Sequence, residues 1–222
     1  MNVSHRFVII TAIFITCLIT ANIIAVKVIS IGFLILPAAI IIFPLSYIFG
    51  DIITEVYGYR LVRRVIWLGF LCNLIFVIFA WLGQVLPPAP FWEGQEAYES
   101  ILGYTPRLLA ASFCGYIVGE FANSFILAKM KILTRGRWLW TRTVGSTIVG
   151  QGLDTSIFIT LAFIGTPSFM LVMILYHWLA KVAIEAIFTP FTYSAVNFLK
   201  KKEATDTYDY ETNFNPFLII RD

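Results

Sequence analysis

The chain has 222 residues, of which 59% are hydrophobic and only 13% charged, with a formal net charge of +3. Soluble domains carry about 25% charged residues; about half that share, with a mean hydropathy of +0.83, excludes a water-soluble globule and puts most of the surface against lipid. At roughly 20 to 25 residues per crossing plus short loops, the length fits one bundle of about six helices and no separate soluble domain.

The first apolar run, 7–27, follows a basic start. Its 20 apolar residues from Phe7 to Val26 exceed a secretory leader's core, and no small-residue cleavage site follows, so it reads as a membrane span. A second span over 34–57 is interrupted by Pro37 and Pro44, and a third covers 64–86. The connection 87–106 holds Pro87, Pro88, Pro90 and several aromatics, the pattern of a loop with a short interfacial helix or of a lid. Further spans are expected over 107–128, 142–164 and 169–199. This makes a six-helix transmembrane domain over 1–202 and a tail over 203–222, polar with a late apolar patch at Pro216–Ile220 and expected to be loosely ordered. The predicted class is all-α, a polytopic membrane bundle of six transmembrane helices.

Charge fixes the expected orientation. Arg6, Arg60, Arg63, Arg64, Lys129, Lys131, Arg135, Arg137, Arg142, Lys200, Lys201 and Lys202 all fall on one side if six spans alternate. The opposite loops carry Glu93, Glu96 and Glu99 without Lys or Arg, or no charge at all over 165–168. Short cytoplasmic loops are enriched in Lys and Arg, so both termini are expected in the cytoplasm of an inner (plasma) membrane protein. The positive balance then reflects topology, and no nucleic-acid partner is expected.

Acids inside spans are the strongest functional signal, since a charge at mid-bilayer costs roughly 3 kcal/mol and survives mainly when it faces a bundle interior or a wet cavity. There are five: Asp51, Glu55, Glu120, Asp154 and Glu185, with Lys181 as the one base at similar depth. Residues three or four apart share a helix face. Phe43, Tyr47, Asp51 and Glu55 form one stripe; Tyr116, Glu120 and Asn123 a second; Gln151, Asp154 and Phe158 a third; His177, Lys181 and Glu185 a fourth. Lys181 and Glu185 have the spacing of a local ion pair, and Glu55 has the position of an interfacial charge. Glu120 and Asp154 have no base in their own helices and point to a cavity. Pro44 and Pro190 each lie a few residues from a stripe acid and would free a backbone carbonyl one turn earlier. Four acceptor-rich, aromatic-flanked stripes suit a planar amino-heterocycle or a cation and suit an anion poorly.

No protease, hydrolase or phosphate-loop motif is present, so no catalytic residue, cofactor or metal site is expected. Cys17, Cys72 and Cys114 lie singly in apolar runs, and His5 and His177 make no metal spacing. A homo-oligomer and an energy-coupling partner both remain open. The Gly115–Gly119 spacing suits either a docking surface or ordinary helix packing.

The stretch FPLSYIFGDIITEVYGYRLVRRVIW (43–67) resembles the signature of the queuosine precursor transporter family, also grouped as vitamin uptake transporters. ANIIAVK (21–27), GEFANSFILAKMK (119–131), WLWTRTVGSTIVGQGLDTSIF (138–158) and KVAIEAIFTPFTYSAVNFLKKK (181–202) follow in the family's order. The resemblance implies uptake of 7-cyano-7-deazaguanine, 7-aminomethyl-7-deazaguanine or queuine for tRNA modification. It also implies a fold similar to the substrate-binding subunits of energy-coupling-factor importers, which need a separate ATP-driven module. Carried onto this chain, it would place Asp51, Glu55, Glu120, Asn123, Gln151, Asp154, Lys181 and Glu185 around the ligand or its path. The deazaguanine N1–H and 2-amino edge is expected at Asp154 or Glu120, O6 at Gln151 or Asn123, and the flat ring against Phe43, Tyr47 or Phe158.

Overall fold

The computed structural model describes residues 4–31, 34–103, 106–165 and 171–218. Helix α1 (His5–Ile24) is capped by Ser4, whose hydroxyl oxygen accepts from the Phe7 N–H at 3.1 Å. It buries Phe7, Ile10, Phe14, Cys17, Leu18 and Ala21, the face expected of three- and four-residue spacing. An antiparallel hairpin follows, β1 (Val28–Ile31) paired with β2 (Leu34–Pro37), then a single tight turn of helix over Ala38–Ile41.

Helix α2 (Phe43–Tyr57) has only 15 residues. At 1.5 Å per residue it is about 22 Å long, short of the roughly 30 Å of hydrocarbon. The second span is therefore corrected: its first part is hairpin and turn, not helix. Pro44 falls in the first turn of α2, where its missing N–H has no partner to lose, so it starts the helix instead of kinking it. Gly58, at φ 85°, turns the chain into α3 (Tyr59–Val85), in a backbone region that side-chain-bearing residues rarely adopt.

The short helix α4 (Gln95–Leu102) lies in the long connection, as one of the two sequence readings had it. It rests on α3, with the Tyr98 hydroxyl donating to the Ala80 carbonyl at 3.0 Å and the Gln95 amide to the Gln84 carbonyl at 3.1 Å. Helices α5 (Pro106–Leu133), α6 (Leu139–Phe163) and α7 (Leu171–Glu203) complete the bundle. Pro190 sits inside a continuous α7.

Four stretches are long and apolar enough to cross a membrane by length and composition: His5–Ile24, Tyr59–Val85, Gln95–Leu133 and Leu171–Glu203. Exposed apolar side chains such as Phe79, Leu171 and Ile187 cover their outer faces. The protein is an all-α, multi-pass membrane bundle carrying one small hairpin. Helices α5 and α6 touch backbone to backbone: a methyl added at Gly119 would lie 2.6 Å from the Asp154 Cβ, and one at Gly150 2.6 Å from the Asn123 Cβ. The Gly115–Gly119 pair thus serves internal packing, which decides between its two sequence readings.

The tail is pinned, contrary to expectation. The Tyr59 N–H, first in α3, donates to both carboxylate oxygens of Asp209 at 3.1 and 3.0 Å. Arg63 donates to the carbonyls of Asn213 and Asn215, and the Trp67 indole to that of Pro216. The Thr207 N–H donates to the Val56 carbonyl at 3.1 Å. These residues cap helix ends whose own chain supplies no partner.

Candidate functional site

A cavity of about 560 Å³ lies inside the bundle, in the half where α1, α3 and α6 end and α2, α5 and α7 begin. Its size is within the roughly 300–1,000 Å³ of small-molecule sites. The C-terminal end of α4 reaches its rim through Ser100, Ile101 and Gly103.

Most of the cavity wall is apolar, with a few polar groups facing inward. Glu120 of α5 is 3% exposed and its Oε2 has no hydrogen-bond partner among the described residues. Gln151 of α6 is 1% exposed, and its Oε1 also lacks a partner among them. Buried polar atoms are normally satisfied; these two acceptors, on residues that line one cavity, are left able to take donors from a guest. Glu120 Oε2 lies against α2 at Gly50, where an added methyl would be 3.4 Å from it.

Asp154 is not free. The Lys181 ammonium, one helix away, donates to its Oδ2 at 2.6 Å and to the Thr155 hydroxyl at 3.1 Å. The spacing of Lys181 to Glu185 allowed a local ion pair, one of two readings; the cross-helix partner takes it instead. Its Nζ also sits 5.4 Å from the Phe43 ring centre and 5.8 Å from that of Tyr47. These two rings stack 6.0 Å apart with 5° between their planes. Phe158 lines the same cavity.

Seven of the eleven residues singled out from sequence therefore meet at one cavity: Phe43, Tyr47, Glu120, Gln151, Asp154, Phe158 and Lys181. Asp51, Glu55, Asn123 and Glu185 do not line it. Asp51 lies one turn beyond Tyr47 and accepts from the Asn123 amide at 2.7 Å. Glu185 lies one turn beyond Lys181, 1% exposed, with neither oxygen partnered among the described residues. Glu55, a further turn along α2, belongs to a separate ion cluster. Arg142 grips it with two bonds of 2.8 Å, Lys200 reaches it at 2.6 Å, and Lys131 at 3.7 Å. Lys131 and Lys200 also hold Asp206 of the tail at 2.5 and 2.9 Å. Burial pushes the Asp206 carboxyl up, but the two ammonium groups outweigh it and hold the carboxyl below its ordinary value.

That cluster gathers the end of α2, the end of α5, the start of α6 and the end of α7, while Arg6 and Ser4 contact Glu203 nearby. The expected basic side is thus one end of the bundle, opposite the cavity. Sequence reading counted Arg142 and Lys131 only as loop charges. Each is in fact 1% exposed, and the one signal available was their place inside the first or last turn of a long apolar helix.

A family model described as "Putative vitamin uptake transporter" matches residues 37–195. A Bacillus subtilis protein named "Probable queuosine precursor transporter" is 32% identical over 157 residues, covering 69% of this chain and 68% of that protein. The Escherichia coli "Queuosine precursor transporter" is 25% identical over 146 residues, 66% of this chain and 62% of its own length. A Haemophilus influenzae relative, also named "Probable queuosine precursor transporter", is 24% identical over 121 residues, 54% of this chain and 49% of its own length. No solved structure matches the chain, so the expected likeness to energy-coupling-factor subunits gains no support. The matched segment runs from the end of β2 into α7 and takes in every residue placed at the cavity wall above. The chain belongs to the queuosine precursor transporter family.

Proposed function

We propose that this chain imports a 7-deazaguanine precursor of queuosine across the inner membrane, with its basic end and tail in the cytoplasm and its cavity toward the outside. The relatives' names give the substrate class. The observation that carries the reading is the pair of orphan acceptors, Glu120 Oε2 and Gln151 Oε1, beside a stacked aromatic pair and a Lys181–Asp154 ion pair.

A 7-deazaguanine base is flat and rich in N–H donors. Its N1–H and 2-amino group match the two oxygens of a carboxylate. Glu120 is the carboxylate left for them, because Lys181 already occupies Asp154. Gln151 accepts from a further ring N–H, or turns its amide nitrogen to O6, for which the Lys181 ammonium is a second donor. Phe43 and Tyr47 offer the face on which the ring stacks. Asp154 then serves by holding Lys181 in place.

The test uses a bacterial strain unable to make the precursor and supplied with low concentrations of 7-cyano-7-deazaguanine, 7-aminomethyl-7-deazaguanine or queuine. Queuosine in its tRNA is expected only when this gene is present, and to fall in Asp154→Asn even though the variant reaches the membrane. No restoration with any of the three bases would reject the function. Normal uptake by Asp154→Asn would remove that residue's assignment.

A further inference from the structure

Three polar layers follow one another along α2, at Tyr47, Asp51 and Glu55, each about one helical turn, or roughly 5.4 Å, from the next. The first is the cavity floor with Tyr47, Glu120, Asp154 and Lys181. The third is the ion cluster of Glu55, Lys131, Arg142 and Lys200. Between them lies a layer so far without a role: Asp51 on α2, Asn123 on α5, Glu185 on α7, with Thr147 of α6 one turn before Gln151.

This middle layer is short of positive charge and of donors. Asp51 is 0% exposed, and Asn123, Thr147 and Glu185 are each 1% exposed. Asn123 donates to one oxygen of Asp51. Asp51 Oδ2, both oxygens of Glu185, Asn123 Oδ1 and Thr147 Oγ1 have no hydrogen-bond partner among the described residues. Among charged neighbours, Asp51 feels Glu185 most strongly, then Glu120 above it and Glu55 on its own helix, all acids. The bases on either side are engaged elsewhere: Lys181 with Asp154, and Lys131, Lys200 and Arg142 with Glu55. Pro190 adds an acceptor nearby, since it has no N–H to offer the Ala186 carbonyl beside Glu185.

Two buried carboxylates with no base would cost many kcal/mol in a low-dielectric interior. A layer that only locked the helices would satisfy its atoms with one another, as buried polar groups normally do. This one is left with surplus acceptors around two carboxyls, and one bound cation removes most of that deficit. Among the described residues no group of three or more His, Cys, Asp or Glu is placed to hold a metal ion.

We propose that Asp51 and Glu185, with Asn123, form a binding site for one monovalent cation, a proton or a sodium ion, and that its occupancy is coupled to substrate movement. The site lies directly between the cavity and the ion cluster that closes the other end, so an ion bound there sits on the line the substrate must pass. The inference rests on the transport reading above for its coupling, though not for the binding of the ion itself.

Purified full-length protein in lipid vesicles tests it, with tritiated 7-cyano-7-deazaguanine as the probe. Exchange without any gradient reports transport alone. A one-unit pH gradient, or a tenfold sodium gradient, is then imposed separately; one-for-one coupling to an uncharged base yields up to about tenfold accumulation. Wild type is expected to concentrate the probe under one of the two, which names the ion. Glu185→Gln and Asp51→Asn, whose side chains lie outside the cavity wall, are expected to exchange the probe but reach an accumulation ratio near one. Intact exchange with accumulation under neither gradient overturns the proposal, as does a Glu185→Gln protein that still concentrates the probe.

A second measurement needs no substrate. The melting temperature of wild type should rise when the ion is added, as acid or as sodium replacing choline, because a ligand that binds only the folded state stabilises it. Glu185→Gln should lack that increment. A wild type and a Glu185→Gln protein that respond identically to both ions overturn the site. A vesicle that fails to exchange the probe while the melting response depends on Glu185 keeps the ion site and removes the transport reading.

Discussion

Replacing Glu120 by glutamine tests the ligand geometry at its most exposed point. Glu120 is 3% exposed, and its Oε2 has no partner among the described residues. Glutamine preserves shape and volume and keeps one acceptor, but puts an amide donor where the second oxygen was. A deazaguanine presenting N1–H and a 2-amino group would then meet one acceptor and one opposing donor. A hydrogen bond to a charged group contributes about 1.5–3 kcal/mol, so losing one raises KM by about 10- to 150-fold. The assay is initial-rate uptake of labelled 7-cyano-7-deazaguanine by cells expressing equal amounts of each protein. An analogue lacking the 2-amino group supplies the second edge of a double-mutant cycle. It makes only the N1–H contact with either side chain, so its penalty in Glu120→Gln should be smaller, and the difference is the coupling energy. An unchanged KM in Glu120→Gln would refute the placement, and an equal penalty for both ligands would refute the edge-on geometry.

Gly119→Ala should be destabilising by about 1–3 kcal/mol, because its methyl would lie 2.6 Å from the Asp154 Cβ and 2.9 Å from the Gly150 carbonyl oxygen. Thermal unfolding in detergent reads this, with Gly145→Ala as control, since its methyl meets only the flexible end of Met130. Glu55→Gln removes the one carboxylate shared by Arg142, Lys131 and Lys200; breaking such a buried network costs about 3–5 kcal/mol, so the yield of monodisperse protein on gel filtration should collapse. The Asp206 latch should depend on pH in one direction. Its carboxyl lies below the ordinary value in the folded protein, so its contribution is complete above about pH 3.9 and is lost as pH falls through the lowered value. Limited proteolysis of the tail should therefore stay flat from neutral pH down to about 4 and accelerate only below it.

The all-α class, the burial of the stripe acids and the gathering of basic residues at one end were legible from the sequence, because each is a property of one helix at a time. A stripe at spacing four declares its own face. What the stripe cannot declare is which neighbouring helix it meets. Lys181 has Glu185 one turn along its own helix, yet it pairs with Asp154 of α6 because the Gly119 and Gly150 contact draws α5 and α6 so close that Asp154 is held at the cavity wall. Asp51 and Glu55 share a stripe with Tyr47 but fall one and two turns below the cavity floor, a distinction of depth that periodicity does not encode. The two prolines near α2 were visible as interruptions. Their meaning depended on whether the span was helix on both sides, and before Pro44 there is only one tight turn. The tail was misread because its order comes from helix ends with unsatisfied N–H groups and arginine side chains more than a hundred residues away.

The pinned tail also bears on the order in which the molecule can mature. Residues 204–218 leave the ribosome after α7, yet they supply the acceptors for Tyr59, Arg63 and Trp67 and a counter-charge for Lys131. Until then one mouth of the bundle holds guanidinium and ammonium groups with too few anions. Membrane insertion and final closure are thus separate events, and the second waits for translation to run past the last helix. A chain stalled or clipped after Glu203 would be threaded through the lipid with that mouth unsealed, a form that quality-control proteases are well placed to recognise.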